Sequence, residues 1–307
     1  GIVFRAPDGA LVRTPARAML AKLDELPLPD REGIDLDRYV DTWRRHHGAG
    51  SVSLITARGC PYTCRWCSHS VYGFSHRRRA PDNVADELEY LKDRYAPDQV
   101  WYADDVFTIN RRWFYQFAEE LDRLNEKVVE TLAAMGCYRI WVGAESGSQR
   151  VLDAMDRRTS AERMREMIAL LQRHGIRAGT FIMVGYEGET WSDLNETARH
   201  IRSSVPDDLL TTLAYPIKGT PYYEDVADRI VAPHAWADSS DRELLVRGRH
   251  SRRFYGHAQR WLKGQLAYAR SRRDGIRGLP RTIRQWLRNA ASRTGMYLTR
   301  LESEQGR

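Results

Sequence analysis

The chain has 307 residues, with 48 Lys and Arg against 41 Asp and Glu, giving a net charge of +7, and a mean hydropathy of −0.59. With 42% hydrophobic and 29% charged residues it can bury a core, which excludes global disorder. No apolar run reaches the ~20 residues of a membrane span, and the first residues lack a signal-peptide core.

Four cysteines, three of them within eight positions, are too few for a disulfide scaffold. They predict metal chemistry in a reducing, cytoplasmic compartment. Beginning at Gly1 without a methionine, the chain reads as a piece of a longer one. The basic excess beyond Arg242 suits a solvated arginine-rich surface. Nucleic acid, anionic lipid and an acidic substrate are the alternatives.

In chain order, residues 1–50 read as a Pro-rich extended connector, with Leu26-Pro27-Leu28-Pro29-Asp30 as its clearest stretch. From Ser51 short apolar runs alternate with amphipathic stretches, the pattern of β/α units around a parallel sheet. The predicted strands are Val52–Ala57, Gln99–Ala103, Arg139–Ala144, Ala178–Gly185 and Leu209–Tyr215. Asp82 is expected to cap a helix with Val84, Leu88, Leu91 and Tyr95 on one face. Arg112–Asn125, Ala161–His174 and Trp191–Ser203 are predicted helices, and Gly175 suits a C-terminal cap.

After Asn125 a second helical stretch, Glu126–Met135, stands where regular alternation asks for a strand. Beyond Pro221 strand signals fade, and the chain from Asp241 reads as basic helices broken around Gly275–Pro280. Their stripes, including Trp261, Leu262, Trp286 and Leu287, are expected to pack on the parent domain, with a membrane surface as the rarer use. The resulting organisation is a connector at 1–50, a core at 51–225 and a helical extension at 226–307.

Cys60, Cys64 and Cys67 form C-x3-C-x2-C directly after the first predicted strand. Three thiolates on one loop can hold three irons of a cubane and leave the fourth open to a ligand. Gly59 and Pro61 supply the turn. The competing reading is a zinc knuckle completed by His69 or His76, although zinc sites favour a second spaced ligand pair. Cys137 is distant and reads as a small core residue. The run His76-Arg77-Arg78-Arg79 either steers an anion or is a charged run ahead of a helix.

With Trp66 as the aromatic before the third cysteine, the motif resembles that of the radical S-adenosylmethionine (SAM) enzymes. The likeness runs from about Ser51 to Tyr223. Its wording resembles the cobalamin-dependent branch: Leu54-Ile55-Thr56-Ala57-Arg58-Gly59-Cys60, Trp101-Tyr102-Ala103-Asp104-Asp105, Gly143-Ala144-Glu145-Ser146-Gly147-Ser148, Gly185-Tyr186-Glu187-Gly188-Glu189-Thr190 and Tyr215-Pro216-Ile217-Lys218-Gly219-Thr220-Pro221. The resemblance implies an α/β fold, a partial (β/α) TIM-type barrel with a basic helical C-terminal extension. It also implies a 4Fe–4S cluster on the three cysteines, with SAM held at the strand ends.

By the same resemblance Asp104 and Asp105 meet the SAM amino group, and Glu145 and Ser146 meet ribose and methionine. Arg157 would pair with the methionine carboxylate, Gly185 would let the backbone approach the adenine, and Tyr215 completes the cofactor-binding set. Read without the family, the Asp pair could cap a helix and Arg157 could be a solvated helix-end residue. Glu189 is expected to brace its loop by capping the next helix.

The family implies a one-electron reductant such as flavodoxin or ferredoxin, a 5′-deoxyadenosyl radical, and methylation or ring formation on a small molecule. No Asp-x-His-x-x-Gly pattern of a cobalamin domain is present, so cobalamin is expected only in the full-length protein. The rival readings are a tRNA-methylthiolating enzyme and a zinc-stabilised nucleic-acid-binding protein.

Overall fold

Apolar strand residues decide where the parallel sheets form. The computed structural model describes residues 1–67, 72–107, 109–110, 112–113, 116–117, 128–134, 136–232, 240–273 and 279–304. By contact the chain divides into two units, Gly1–Pro61 with His69–Arg123, and Tyr62–Ser68 with Leu124–Arg307.

The first unit opens with a hairpin of β1 (Val3–Arg5) and β2 (Leu11–Arg13), followed by helix α1 (Leu36–His47). The connector expected at 1–50 therefore contains a regular helix. Asp35 caps it by accepting from the Arg38 N–H, and Gly48 at φ 81° ends it. Leu36, Tyr39, Val40 and Trp43 recur at the helical period, a signal the connector reading passed over, although only Leu36 and Val40 are buried.

Next come β3 (Ser51–Leu54), the short β4 (Ala57–Arg58) and β5 (Arg77–Arg78), helix α2 (Pro81–Tyr95) and β6 (Gln99–Tyr102). β3 and β6 are parallel, while β4 and β5 pair antiparallel. Asp82 does not cap α2. Pro81 takes the first helical position and Ala80 the cap, as proline's fixed φ and missing N–H favour.

In the second unit α3 (Val128–Ala134) is the described part of the stretch expected at Glu126–Met135. Among the described residues no strand separates it from β6. Most of the predicted helix Arg112–Asn125 lies outside the described residues. Then follow β7 (Arg139–Glu145), α4 (Gln149–Ala154), α5 (Ala161–Arg173), β8 (Arg177–Val184), α6 (Trp191–Ser204) and β9 (Asp208–Leu213). β7, β8 and β9 form one parallel sheet in that order. Gly175, at φ 75°, follows the end of α5 in the left-handed conformation expected there.

A short helix α7 (Pro221–Asp225) and a two-residue pair, β10 (Ile230–Val231) with β11 (Leu245–Val246), lead to α8 (Arg252–Arg273) and α9 (Leu279–Thr299). The fold is therefore α/β with C-terminal helices. Its parallel strands lie in two sheets among the described residues, with no closed barrel.

One apolar cluster joins Ile182 and Val184 of β8 and Leu194 and Ile201 of α6 to Phe254, Trp261 and Leu262 of α8. The two tail tryptophans part ways: Trp261 is buried there, whereas Trp286 on α9 is 58% exposed.

A buried ion pair ties the tail to the sheet. Arg249 and Glu304 are paired at 2.9 Å, and Arg249 also donates to the carbonyls of Ala214 (2.5 Å) and Gly185 (3.3 Å), just past β9 and β8. Removing one partner leaves the other charged and buried. Glu304→Ala should therefore lower the unfolding free energy by about 3–5 kcal/mol in urea melts. Glu302→Ala, which breaks the exposed pair with Arg253, should cost less than about 1 kcal/mol.

Candidate functional site

Residues 62–67 form a loop clamped from two sides within the second unit. The Arg65 N–H donates to the Met155 carbonyl at 3.1 Å, and the Tyr222 N–H donates to the Arg65 carbonyl at 3.0 Å. The Arg65 guanidinium pairs with Asp225 at 2.5 Å, and Thr63 donates to Asp156 at 2.7 Å. A turn closes between Cys64 and Cys67, with the Cys67 N–H donating to the Cys64 carbonyl at 3.1 Å. Trp66 packs against the apolar cluster of Val151, Met155, Tyr186 and Tyr222.

Arg157 is the hub beside this loop. Its Nη1 stands 3.4 Å from Cys64 Sγ, and its Nη2 donates to the Gly143 carbonyl at 2.5 Å and lies 4.0 Å from Glu145 Oε1. A guanidinium at that distance offsets the charge of a thiolate. Glu145 ends β7 at a register shift with φ 56°, in the left-handed region that a side chain enters at a cost. Burial pushes its carboxyl up to about 7, against the opposing pull of Arg157.

Ser146 is fully buried, and its hydroxyl is engaged with Thr197 Oγ1 at 3.1 Å and with the Ser148 N–H. It thus faces α6. Gly185 adopts φ 76°, and a Cβ there would sit 2.7 Å from Leu213 and 2.9 Å from Tyr255, so the chain's own packing already demands glycine. Glu189 does not cap α6. It accepts from the Gly185 N–H at 2.6 Å, while Thr190 and Asp193 form a reciprocal cap. Tyr215 is half-buried, with the Arg242 guanidinium 5.9 Å from its ring centre.

In the first unit, Gly59 stands at φ 86° immediately before Cys60. A Cβ there would fall 1.9 Å from the Ser75 carbonyl oxygen, so no other residue fits. The Asp104 side chain is fully buried. One of its oxygens accepts from the N–H groups of Thr56 (2.6 Å) and Ala57 (3.1 Å), the other from the Thr56 hydroxyl and from Arg78 (3.2 Å). Its carboxylate thus braces the chain leading to Cys60, whereas Asp105 is exposed. The arginine run is structural in part, since Arg78 and Arg79 turn inward to Asp104 and Glu87.

Sequence reasoning missed Thr56, Arg78 and Thr197, partners of Asp104 and Ser146. They lie about 25–50 positions from those residues, a separation at which local spacing carries no signal. Cys137 is half-buried rather than in the core, and burial pushes its thiol up.

The donor set suits an iron–sulfur cluster. It offers three soft thiols in C-x3-C-x2-C, one of them beside a half-buried cation. Among the described residues no three Cys, His, Asp or Glu side chains stand as around a single metal ion. A cubane takes each thiolate at a different corner and so asks for a wider spacing.

Because the folded carboxyl of Glu145 titrates above its unfolded value of about 4.3, its stabilising protonated form is complete below that pH. It is lost as the pH rises through about 7. Glu145→Gln should match the native chain in urea melts at pH 4.5 and exceed its stability by more than about 1 kcal/mol at pH 8. Equal stability at both pH values would contradict the burial.

Residues 54–201 match the family model described as the radical SAM superfamily. The chain is 29% identical over 276 residues to the anaerobic magnesium-protoporphyrin IX monomethyl ester cyclase of Rubrivivax gelatinosus, covering 80% of this chain and 49% of that protein. It is 25% identical over 261 residues to the uncharacterized methyltransferase PH0819 of Pyrococcus horikoshii, covering 79% and 56%. The chain thus spans about half the length of these curated relatives.

Among solved structures it resembles the cobalamin-dependent S-adenosylmethionine radical enzyme OxsB, with a TM-score of 0.66 and 14% identity over 97% of this chain and 52% of that one. At that identity the likeness is one of fold. The family uses a 4Fe–4S cluster and SAM. Residues 54–201, with the cysteine triplet inside them, thus form a radical SAM domain.

Proposed function

We propose that this chain is the core of a radical SAM enzyme carrying out cobalamin-assisted C-methylation or ring formation on a small, tetrapyrrole- or lipid-like molecule. Its parallel strands would be those of a partial (β/α) barrel of TIM type. Cys60, Cys64 and Cys67 would hold the 4Fe–4S cluster. The bound cluster would supply, from an external reductant, the one electron that splits SAM into methionine and a 5′-deoxyadenosyl radical.

The chain's own part is to hold and to orient. Arg157 keeps a positive charge against the Cys64 sulfur and ties that loop to the end of β7. Asp105 offers an exposed carboxylate to the SAM ammonium, because both oxygens of Asp104 are already engaged. Glu145 supplies acceptors for ribose hydroxyls, and Ser146, held by Thr197, orients that strand end. Gly185 and Tyr215 would line the adenine side. Cobalamin would join in the full-length protein.

The observation that carries this reading is the clamped cysteine loop with Arg157 at Cys64 Sγ. The names of the cyclase and methyltransferase relatives support the reaction class. The test is anaerobic incubation of the reconstituted chain with dithionite and SAM. 5′-Deoxyadenosine should form, Cys64→Ala should abolish it, and Arg157→Ala should slow it about 10–100-fold, the worth of a lost charge-assisted hydrogen bond. No 5′-deoxyadenosine from a chain with an intact cluster would overturn the reading. The fate of methyl-labelled SAM then separates methylation from ring formation.

A further inference from the structure

Helix α9 is packed inside out. Its buried residues are Asn289, Gly295, Met296 and Thr299, largely small or polar, and they face α8. Asn289 Nδ2 donates to the Gly264 carbonyl at 3.2 Å. Two glycines make the approach this close. A Cβ on Gly264 would lie 2.0 Å from Asn289 Oδ1, and one on Gly295 would lie 2.2 Å from His257 Nδ1. The opposite face carries Leu279, Ile283, Trp286, Leu287, Tyr297 and Leu298, every one of them more than half exposed. At the helical period these six share one continuous stripe about 120° wide. A helix that buries its polar side and exposes its apolar side is incomplete as a surface.

Charge selects the occupant. From Leu279 to Arg300 the sequence contains Arg281, Arg284, Arg288, Arg293 and Arg300 and neither Asp nor Glu. Arg284 flanks one edge of the stripe, and Arg293 and Arg300 flank the other. Arg300 stacks over the Tyr297 ring at 3.6 Å. Beside the stripe a groove of about 820 Å³ is lined by Trp191, His250, Arg293, Tyr297 and Arg300 among others. Among the described residues no helix is long and apolar enough to cross a membrane. A second copy docked on this stripe would set arginine rows against each other. An anionic surface would satisfy them while the apolar residues sink in, with Trp286 and Tyr297 at the depth where amphipathic rings settle.

We propose that the outer face of α9 binds, in plane, to the surface of an anionic lipid bilayer. This rests on α9 alone and is independent of the chemistry assigned to the cysteine loop.

The test is co-sedimentation of the chain with phosphatidylcholine vesicles, with and without phosphatidylglycerol, at low and high salt. Binding to the anionic vesicles should be at least about tenfold tighter and should weaken as salt is added. The double variant Trp286→Glu/Leu287→Glu should lose about tenfold or more while keeping the native far-ultraviolet spectrum and melting temperature. Arg284→Gln/Arg293→Gln, which leaves the apolar stripe intact, should lose about fivefold per arginine on anionic vesicles only.

Equal binding to both vesicle types would overturn the proposal. So would a dimer that forms through this face and is lost in Trp286→Glu/Leu287→Glu, or anionic binding unchanged in both variants.

Discussion

The contact between Arg157 and the cysteine loop is the constraint around which the second unit is arranged. The guanidinium touches Cys64 Sγ and the Gly143 carbonyl and stands near Glu145, so one cation ties the loop to the end of β7. A thiolate in a loop is costly to hold in place, because its charge must be met and its backbone must not wander. Arg157 sets a cation against Cys64 Sγ, and the bonds to Met155, Asp156, Tyr222 and Asp225 hold the loop. The strain at Glu145, a side chain in the left-handed region, sits against the same hub.

The strand ends elsewhere use a related device, a buried side chain that gathers partners from distant parts of the chain. Asp104 gathers two backbone N–H groups, a hydroxyl and Arg78 ahead of Cys60. Arg249 gathers the carbonyls beyond β8 and β9 and is neutralised by Glu304 from the C-terminal segment. Losing one partner of such a group strands the other in a buried site, which holds the loops they join in place. For a site that must present donors without rearranging, that rigidity is useful.

Much of this was legible in the sequence. The apolar runs located β6, β7, β8 and β9 to within two residues, and the spacing of Cys60, Cys64 and Cys67 pointed to the chemistry. Local signals failed where geometry is set at long range. Asp104 reads as a ligand by its position at a strand end, yet its partner Thr56 lies 48 positions away. Ser146 turns to Thr197, 51 positions on. Helix α1 was legible in Leu36, Tyr39, Val40 and Trp43 at the helical period, but the neighbouring Pro-rich stretch drew the whole segment into an extended reading. On α9 the apolar stripe was visible, but apolarity alone does not say which face a neighbour takes. Gly264 and Gly295 let α8 take the polar one.

The central claim is that three of the four cysteines form one iron–sulfur site, and iron and sulfide analysis after anaerobic reconstitution tests it most directly. The account predicts about four irons per chain, retained in Cys137→Ala and lost in Cys60→Ala, Cys64→Ala and Cys67→Ala. Stoichiometric zinc without iron uptake, or a cluster that survives loss of Cys64, would contradict it.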